Sequence, residues 1–490
     1  MGSDERTHLG EDSGLNSYHV GPFQMPGHLV RSSCTCNPLT PLASHGAEMW
    51  LPVVLSAWPM EFANLMENSV RARLGGLLQL PNGAGIITAP SGTDVELLPV
   101  IMAKSLFPEA KRVRVMVAAV NEIGKGVAAA AGGEFSSVTS PTEDCGDEDH
   151  CDELTETDIT DFVKSTTMNA RDSEGNYIDH SDLIAREVAE GLATKEPVIV
   201  HSVFGTKTNK REPFPSGTGC EADDASNFVV VDACQGRYSL AELHDILDKG
   251  ALVTITGSKA MSGPPFSGAL IIPPKLMERL QRVEAKDVWM PPMLRHYFTR
   301  HDFPLSLPAF RLHLPLLQNK GLALRWLASL EEMEAYFKAG GDSDEARARV
   351  DEWAAAVTAK MVKEHPQLEV FEVNDSVINF KVIPQSTGKA LDVNQLRKLY
   401  ALLTKDLTPM LLEQGVSLSE EAAKVAATKC LIGQPVKICE TFGIVRLALG
   451  APDIRALMED MNVPQAVSVD AQILRKLSLI AEHSATLGVL

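Results

Sequence analysis

The sequence has little of what marks membrane, secreted or nucleic-acid-binding proteins. Its 490 residues include 8 cysteines and 6% aromatic residues, which is ordinary usage and not that of a disulfide-stabilised scaffold. No run approaches the roughly 18 apolar residues that a membrane-spanning helix needs. Lys and Arg total 45 against 64 Asp and Glu, and the resulting net charge of −19 repels phosphate backbones and anionic membranes. We therefore expect neither nucleic acid nor a membrane as partner.

What the sequence does contain is typical of a globular protein with more than one domain. Hydrophobic residues make up 44% and charged residues 22% of the chain, enough for large cores. The start, MGSDERTHLGEDSG, is acidic and polar, unlike a secretory or organellar presequence. These features favour a cytoplasmic protein. We expect a loosely ordered amino-terminal arm over residues 1–45, with ordered structure beginning between Ser33 and Trp50.

Short β-branched runs alternate with amphipathic stretches over the first half of the chain. The candidate strands are Gly85–Thr88, Val113–Val120, Pro197–Val203, Phe228–Asp232, Ala251–Thr256 and Gly268–Ile272. The candidate helices between them include Leu97–Leu106, Asp182–Ala193 and Ser239–Asp248. Runs without polar alternation suit strands buried on both faces, and this order of elements indicates a mostly parallel sheet. The predicted fold class is therefore α/β, with a large domain over residues 46–315.

The second half of the chain has a different pattern and predicts a smaller α+β domain over residues 316–490. Long amphipathic helices are expected over Lys320–Ala339, Ser343–Glu364 and Val393–Glu413. They surround a strand pair near Leu368–Val373 and Val377–Val382. This domain is appended to the α/β domain and shows no internal repeat.

An acidic segment over residues 141–161 is expected to be a solvated surface insertion. It holds ten acidic side chains and no Lys or Arg, and such a block cannot bury itself. Cys145, His150 and Cys151 lie within it, but their spacing matches no structural zinc pattern. We expect no metal site there, nor at Cys34 and Cys36.

Two polar residues follow buried strands and are candidates for chemistry. Asp232 ends the run FVVVD, and Lys259 follows the run ALVTITGS 27 residues later. In open α/β sheets ligands bind at the carboxyl ends of the strands, where both residues would lie. A lysine that is desolvated there has a lowered pKa and a free amine for Schiff-base chemistry. The alternative is that Lys259 simply points to solvent.

A third feature is the turn ITAPSGTDVELLPV between a short strand and a helix. Ser91, Gly92 and Thr93 offer backbone N–H groups, two hydroxyls and a glycine that permits close approach, the features of a phosphate-binding turn. A plain helix cap by Ser91 or Thr93 would account for the same residues without a ligand.

The ordered set of phosphate turn, Asp and Lys resembles the fold-type I pyridoxal-phosphate enzymes of the class V aminotransferase and cysteine desulfurase group, over roughly residues 80–455. The resemblance implies pyridoxal 5′-phosphate as cofactor, with Asp232 of VDACQ on the pyridine nitrogen and Gln235 in contact with the ring hydroxyl or the Schiff base. It makes Lys259 of GSK the Schiff-base lysine and Ser258 a phosphate ligand. In VIVHSVFGT it places Ser202 near the ring hydroxyl, where an Asn is more usual.

The resemblance also implies a substrate site and an assembly. Arg446 in GIVRLALGAPD corresponds to the arginine that binds the substrate carboxylate, a task suited to a planar guanidinium, although a structural salt bridge is the simpler interpretation of this residue. The position that usually stacks on the cofactor ring lies near Asn121 or Glu122, so the usual aromatic or histidine is missing. Members of the family are generally homodimers, and a homodimer is expected here.

The reaction stays open at this point. An amino acid or derivative is the expected substrate, and class V-like transamination is the first hypothesis. A desulfurase or carbon–sulfur lyase is the second and would need a nucleophilic cysteine, for which Cys430 in TKCLIGQPV and Cys439 are candidates; the alternative is that Cys430 is a small buried residue. A third hypothesis is a non-catalytic protein with this fold that binds partners.

Overall fold

A computed structural model of the chain describes residues 5–11, 13–134, 159–215 and 225–490. Most of the predicted acidic insertion, residues 141–158 with Cys145, His150 and Cys151, lies outside the described residues. Among the described helices, none combines the length and the apolar character needed to cross a membrane.

The strands and helices follow the sequence pattern closely. The strands are β1 (His28–Arg31), β2 (Gly85–Ala89), β3 (Val113–Val117), β4 (Val163–Thr167), β5 (Val198–Val203), β6 (Asn227–Asp232), β7 (Leu252–Thr256), β8 (Gly268–Ile272), β9 (Leu368–Asn374), β10 (Val377–Val382), β11 (Lys429–Lys437) and β12 (Gly443–Ala448). The α-helices are Pro41–Ser56, Pro59–Asn64, Ala72–Leu77, Leu98–Leu106, Val127–Ala131, Ser181–Thr194, Leu240–Asp248, Pro274–Gln281, Leu294–Tyr297, Pro308–Arg311, Lys320–Lys338, Asp344–Glu364, Val393–Leu402, Thr408–Glu413, Glu420–Ala427, Ala451–Glu459 and Val463–Glu482.

The first sheet has seven strands in the order β2-β8-β7-β6-β5-β3-β4. Strand β8 runs antiparallel to both of its neighbours, and the other neighbouring pairs are parallel. All residues of β2, β3, β5, β7 and β8 are buried, as expected for a sheet covered on both faces. The predicted α/β class with a mostly parallel sheet is therefore confirmed.

Each face of this sheet has its own core. Alternate residues of β6 point to opposite sides, with Phe228 and Val230 in one cluster and Val229 and Val231 in the other, as the period of two in a strand requires. The second cluster includes residues of the helix Lys320–Lys338. This helix was expected in the carboxyl-terminal domain, yet its side chains complete the core of the first sheet.

The second sheet has five strands in the order β1-β11-β12-β10-β9. Helices Asp344–Glu364 and Val463–Glu482 contribute to the core beside it, which gives the predicted α+β arrangement. The expectation of a loosely ordered arm over residues 1–45 needs correction, because β1 lies in that segment and pairs in parallel with β11. Its last residue, Arg31, is buried and forms ion pairs with Asp453 and Asp470.

The helix predicted over Val393–Glu413 is in fact two helices. The first ends at Leu402, and the second begins at Thr408. The carboxylate of Asp406 accepts a hydrogen bond from the backbone N–H of Thr408 at 2.9 Å, and Pro409 follows as a residue without an N–H group. A side-chain cap and a proline together favour a new helix start over continuation of the old one.

Candidate active site

The carboxyl ends of the parallel strands surround one cavity. Residues that follow β2, β3, β6 and β7 line it together with two residues from the amino-terminal segment. The lining residues are Arg6, Thr35, Ser91, Gly92, Thr93, Gly124, Val127, Asp232, Cys234, Thr256, Ser258, Lys259, Phe266 and Ser267. The structure therefore brings together six of the residues singled out from the sequence, at the edge where parallel α/β sheets bind ligands.

Lys259 is held in an unusual backbone conformation directly after β7. Its φ of +51° lies in the left-handed region that residues with a Cβ rarely adopt. Its carbonyl accepts hydrogen bonds from Asn37 Nδ2 and from the backbone N–H of Ser262, both at 3.0 Å. Strained residues of this kind concentrate at functional sites, and here the strain falls on the lysine whose side chain lines the cavity.

Asp232 ends β6 and also faces the cavity. One carboxylate oxygen accepts the backbone N–H of Cys234 at 2.9 Å, which fixes the orientation of the group. Nearby, Glu96 Oε2 lies 2.8 Å from Nδ1 of His201, and both side chains are buried. Burial and the negative charge of Asp232 raise the pKa of Glu96, while His201 opposes that rise. A carboxylate thus lines the cavity, and a second, buried acidic group is close enough for its pKa to be raised by the charge of the first.

The turn after β2 fits tightly against two other strand ends. A Cβ added to Gly92 would lie 2.8 Å from Cys234 Sγ and 3.0 Å from Thr256 Cγ2, so no larger residue fits without movement. The hydroxyl of Ser91 accepts the backbone N–H groups of Thr93 and Asp94 at 3.2 and 3.1 Å. Ser91 therefore caps the turn, as the simpler interpretation of the sequence expected, while it also lines the cavity.

Arg446 lies in the second sheet, opposite Gly433 of β11 and Asn379 of β10. It is 6% exposed. Its guanidinium donates to the backbone carbonyl of Gln434 from Nε at 3.2 Å and from Nη2 at 3.1 Å, and to the carbonyl of Lys207 from Nη1. No carboxylate among the described residues lies within ion-pair distance of it. The structural salt bridge that was the alternative interpretation of Arg446 is therefore absent among the residues that the structure describes.

A buried ionic network connects the two sheets beside Arg446. Glu122 forms an ion pair with Arg171 and accepts the hydroxyls of Thr206 and Thr208, each at 2.7 Å. Arg171 also forms an ion pair with Glu372 of β9 at 3.0 Å. These bonds fix the loop after β5 against the second sheet. Glu122 was considered as a stacking position from the sequence, but its carboxylate is fully engaged in this network.

Ser202 and Gln235 do not line the cavity with the other predicted ligands. The hydroxyl of Ser202, which is 4% exposed, lies 3.4 Å from the carbonyl of Pro213. Gln235 accepts the backbone N–H of Ala260 at 3.3 Å and a hydrogen bond from Arg237 at 3.4 Å. Gln235 therefore lies next to the Lys259 turn. The cofactor contacts of both side chains stay predictions.

The cysteine proposed as nucleophile is placed away from the cavity. Cys430 is completely buried in β11, opposite Leu29, and its Sγ lies 3.8 Å from the carbonyl of Leu403. Burial raises the pKa of its thiol to about 12, which disfavours the reactive thiolate. The surroundings are those of a small buried residue. The thiol beside Arg446 is instead that of Cys34, 4.0 Å from Nη2.

Two further residues that line the cavity, and one residue beside Arg446, were not found from the sequence. Arg6 and Thr35 reach the cavity from the amino-terminal segment. Lys207 lies on the loop after β5, and its carbonyl accepts Arg446. The tripeptide TKT carries no local signal for this role, since it depends on contacts with the second sheet. The pairing of β1 with β11 likewise joins segments far apart in the sequence, and Thr35 lies just after β1.

Comparisons with known proteins agree with the fold. No protein-family model matches the sequence, and no curated protein matches it. Among the solved structures that match, Oryza sativa TDC with PLP and tryptamine has 14% sequence identity and a TM-score of 0.50, over 92% of this chain and 83% of that chain. Catharanthus roseus tryptophan decarboxylase in complex with L-tryptophan has 14% identity and a TM-score of 0.51, over 92% of this chain and 83% of that chain. A phosphoserine aminotransferase from Cytophaga hutchinsonii has 12% identity and a TM-score of 0.50, over 89% of this chain and 98% of that chain. The predicted fold class, that of the fold-type I pyridoxal-phosphate enzymes, is confirmed at the level of architecture.

Proposed function

We propose that the protein is a pyridoxal-phosphate-dependent enzyme that acts on an amino acid or an amino-acid derivative. One observation carries the proposal: Lys259, Asp232 and the turn Ser91–Thr93 line a single cavity at the carboxyl edge of the sheet. The solved structure of the similar TDC contains PLP, and the fold is shared. An amine, a carboxylate and a phosphate-type turn in one cavity are the groups that this cofactor requires.

The chemistry of the cavity fits the cofactor. The absence of a side chain at Gly92, where a Cβ would meet Cys234 and Thr256, leaves a narrow turn whose backbone can approach a phosphate closely. Thr93 and Ser258 line the same cavity and provide hydroxyl donors. Pyridoxal phosphate supplies, when bound, an aldehyde that reacts with amines and a ring that withdraws electrons from the substrate Cα.

The residues of the chain have separable tasks in this proposal. The carboxylate of Asp232 holds a proton on the ring nitrogen and so favours the electron-accepting form of the ring. The Nζ atom of Lys259 supplies the reacting amine and then transfers protons to and from the substrate. Arg446 binds and orients the substrate carboxylate with two adjacent N–H groups.

Class V-like transamination is the specific reaction that we propose. Desulfuration by Cys430 is disfavoured because the thiol is buried in β11 and has a raised pKa. One of the similar structures is an aminotransferase and another is a decarboxylase, so product analysis has to separate these two. Purified protein incubated with amino acids and a 2-oxo acid acceptor should form a new amino acid and no carbon dioxide. Release of carbon dioxide with the corresponding amine would replace transamination by decarboxylation.

Borohydride reduction tests the assignment of Lys259 directly. Protein incubated with pyridoxal phosphate and reduced should carry a pyridoxyl group on the peptide that contains Lys259, identified by mass spectrometry. The variant Lys259→Ala should lose both this adduct and the visible absorption band, since it lacks the reacting amine. Lys210→Ala is the matched control, because its amine lies over the ring of Tyr177, 4.7 Å from the centroid.

The outcome that contradicts the proposal is equally definite. A wild-type protein that binds no pyridoxal phosphate, or an adduct on another lysine with none on Lys259, removes the basis for the proposed function. The fold would then serve a non-catalytic binding protein.

We also propose that two copies of the chain assemble as a homodimer. Apolar side chains are strongly exposed on the helices Pro41–Ser56 and Pro59–Asn64 and at Trp58 between them. This amino-terminal apolar patch consists of Met49, Val53, Leu55, Trp58 and Met60, with exposed fractions between 47% and 79%. Several strongly exposed apolar side chains in one short segment favour an association site, and the resemblance described above implies a second copy of the chain as the partner.

A further inference from the structure

The surroundings of Arg446 leave its positive charge uncompensated within the described residues. Its hydrogen bonds go to the carbonyls of Gln434 and Lys207, and these acceptors carry no net charge. A buried cation with neutral acceptors is stabilised when an anion binds beside it. One substrate carboxylate would supply that anion.

Lys207 adds a second cation to the same region. It is partly buried, and among the described residues no hydrogen bond or ion pair occupies its Nζ atom. Burial and the positive charges of Arg446, Lys259 and Lys125 lower the pKa of its amine to about 8, against the opposing effect of Glu122. Both oxygens of Glu122 are already bound, one by Arg171 and one by two threonine hydroxyls. The negative charge of Glu122 therefore compensates the charge of Arg171 before that of Lys207.

The loop that carries Lys207 is fixed in position. Gly205 has a φ of +98°, and the backbone N–H of Lys207 donates to the carbonyl of Glu122 at 2.8 Å. Asn209 donates to the carbonyl of Asn374 at 3.0 Å, which ties the loop to β9. The backbone of Lys207 is thus held beside Arg446, whose guanidinium donates to its carbonyl, and a fixed backbone reduces the entropy lost when the side chain binds a ligand.

We propose that Lys207 binds a second anionic group of the substrate, so that the substrate is an amino acid with an acidic side chain or a similar dianionic derivative. This inference rests on the proposed function, in which Arg446 binds the carboxylate next to the reacting carbon. A single carboxylate offsets one of the two neighbouring cations, and a second anion offsets the other. The second group can be a carboxylate or a phosphate-type anion, since both accept from an ammonium.

Binding of unreactive anions tests this inference without turnover. Calorimetric titration of the purified protein, with and without pyridoxal phosphate, uses butyrate as monoanion and glutarate and 3-phosphonopropionate as polyanions. Wild-type protein should bind glutarate or 3-phosphonopropionate about tenfold or more tightly than butyrate, and Lys207→Met should lose most of that preference. The polyanion that binds more tightly identifies the second group of the substrate as a carboxylate or a phosphate-type anion.

Two further variants control the experiment. Lys210→Met removes another lysine of the same loop, one whose amine lies over the ring of Tyr177. This variant should keep the wild-type preference for polyanions. Lys207→Arg keeps the charge and should retain preference for the polyanions. If Lys207→Met is poorly folded by circular dichroism, Lys207→Gln takes its place, with the same expected loss of preference because it also removes the charge.

Equal affinity of wild-type protein for the monoanion and both polyanions would overturn the inference, and so would a preference that survives in well-folded Lys207→Met. The proposed function fails on a different result, namely the absence of a pyridoxyl adduct on Lys259. Protein without the adduct but with a Lys207-dependent polyanion preference would keep the anion site and reject the enzyme. Protein with the adduct but without this preference would keep the proposed enzyme and reject the second anion site.

Discussion

The side chain of Arg446 depends on a glycine in the neighbouring strand for its position. A Cβ added to Gly433 would lie 2.9 Å from both Cβ and Nε of Arg446, closer than non-bonded atoms approach. The side chain crosses β11 at the one place where the backbone carries no substituent. The guanidinium reaches the carbonyls of Gln434 and Lys207 because of this crossing.

Gly433→Ala should therefore weaken substrate binding while the fold is retained. The added methyl group displaces the guanidinium, and overpacking of this kind costs about 1–3 kcal/mol, so we expect KM for the amino-acid substrate to rise about tenfold or more. Steady-state kinetics measure this effect. Gly76→Ala is the control, because nothing lies within 4 Å of a Cβ at that position; a KM unchanged in Gly433→Ala would show that Arg446 does not bind the substrate.

The charge of Lys207 should make polyanion binding depend on pH. Its pKa is lowered to about 8 because burial, Arg446, Lys259 and Lys125 all disfavour the ammonium form, with Glu122 opposing. The amine is charged below that pH and neutral above it. The preference for glutarate over butyrate should accordingly be largest below about pH 7 and fall as the pH rises through about 8.

Calorimetry across this pH range measures the ratio of the two affinities. Lys207→Arg should hold the ratio constant well above pH 8, since a guanidinium keeps its proton there. A wild-type ratio that does not change between about pH 6.5 and 9.5 would contradict the assignment of the second anion site to this amine.

At the scale of elements, strand β1 is stabilised by a buried ion-pair network. Arg31 donates to Asp470 at 2.8 Å and to Asp453 at 2.9 Å, and Trp353 donates to the other oxygen of Asp470 at 2.7 Å. These contacts fix the amino-terminal segment to the helices Ala451–Glu459 and Val463–Glu482. Thr35, which lines the cavity, therefore lies four residues after a fixed strand.

Arg31→Met should destabilise the protein strongly and in a pH-dependent way. It leaves the buried carboxylate of Asp470 and the partly buried carboxylate of Asp453 without their cation, and breaking a buried ion pair in this way costs about 3–5 kcal/mol. Burial raises the pKa of both Asp453 and Asp470 above the usual aspartate value, and Arg31 counteracts this in the wild type. Without Arg31 the folded variant takes up protons more readily than the unfolded chain, so its stability should recover as the pH falls from 7 toward 5.

Urea unfolding at several pH values measures this loss. Arg347→Met is the control, because its ion pair with Asp344 is largely exposed and such pairs contribute little. A loss of stability in Arg31→Met that is the same at every pH would show that packing of the side chain, and not charge, stabilises β1.

Sequence patterns predict those strands and helices whose buried residues follow one another in a regular local pattern. Runs such as Val198–Val203 are buried throughout and were predicted within a residue or two. Strand β4 was missed, because an edge strand with the sequence VKSTT is half exposed and has no apolar pattern. Strand β1 has four residues and pairs with a strand about 400 positions away, so local sequence carries no sign of it.

The candidate site likewise contains residues that local sequence predicts and residues that it does not. Asp232 and Lys259 were predictable because residues at the ends of neighbouring parallel strands must converge on one edge of the sheet. Arg6, Thr35 and Lys207 were not, since their positions depend on how the second sheet and the amino-terminal segment pack on the first. Burial of Cys430 was an alternative from the sequence, and the core between the second sheet and its helices is what buries the thiol.

At the scale of the whole molecule, the amino-terminal apolar patch tests the proposed homodimer. The side chains of Trp58 and Met60 are 75% and 79% exposed, so neither contributes to the core of one chain. The backbone N–H of Trp58 donates to Glu61 at 2.9 Å, and this contact does not involve the indole. Substitutions at the two positions should therefore alter association and leave the fold of the single chain unchanged.

Trp58→Glu and Met60→Glu should each convert the dimer to a monomer at micromolar concentration. Placing a carboxylate in an apolar interface removes buried area and adds the cost of desolvating a charge on both copies. Sedimentation velocity measures the mass directly. Val362→Glu is the matched control, because Val362 is 76% exposed on the helix Asp344–Glu364, outside the patch, and should stay dimeric. A wild-type protein that sediments as a monomer, or patch variants that sediment as dimers, would show that the patch does not hold two copies together.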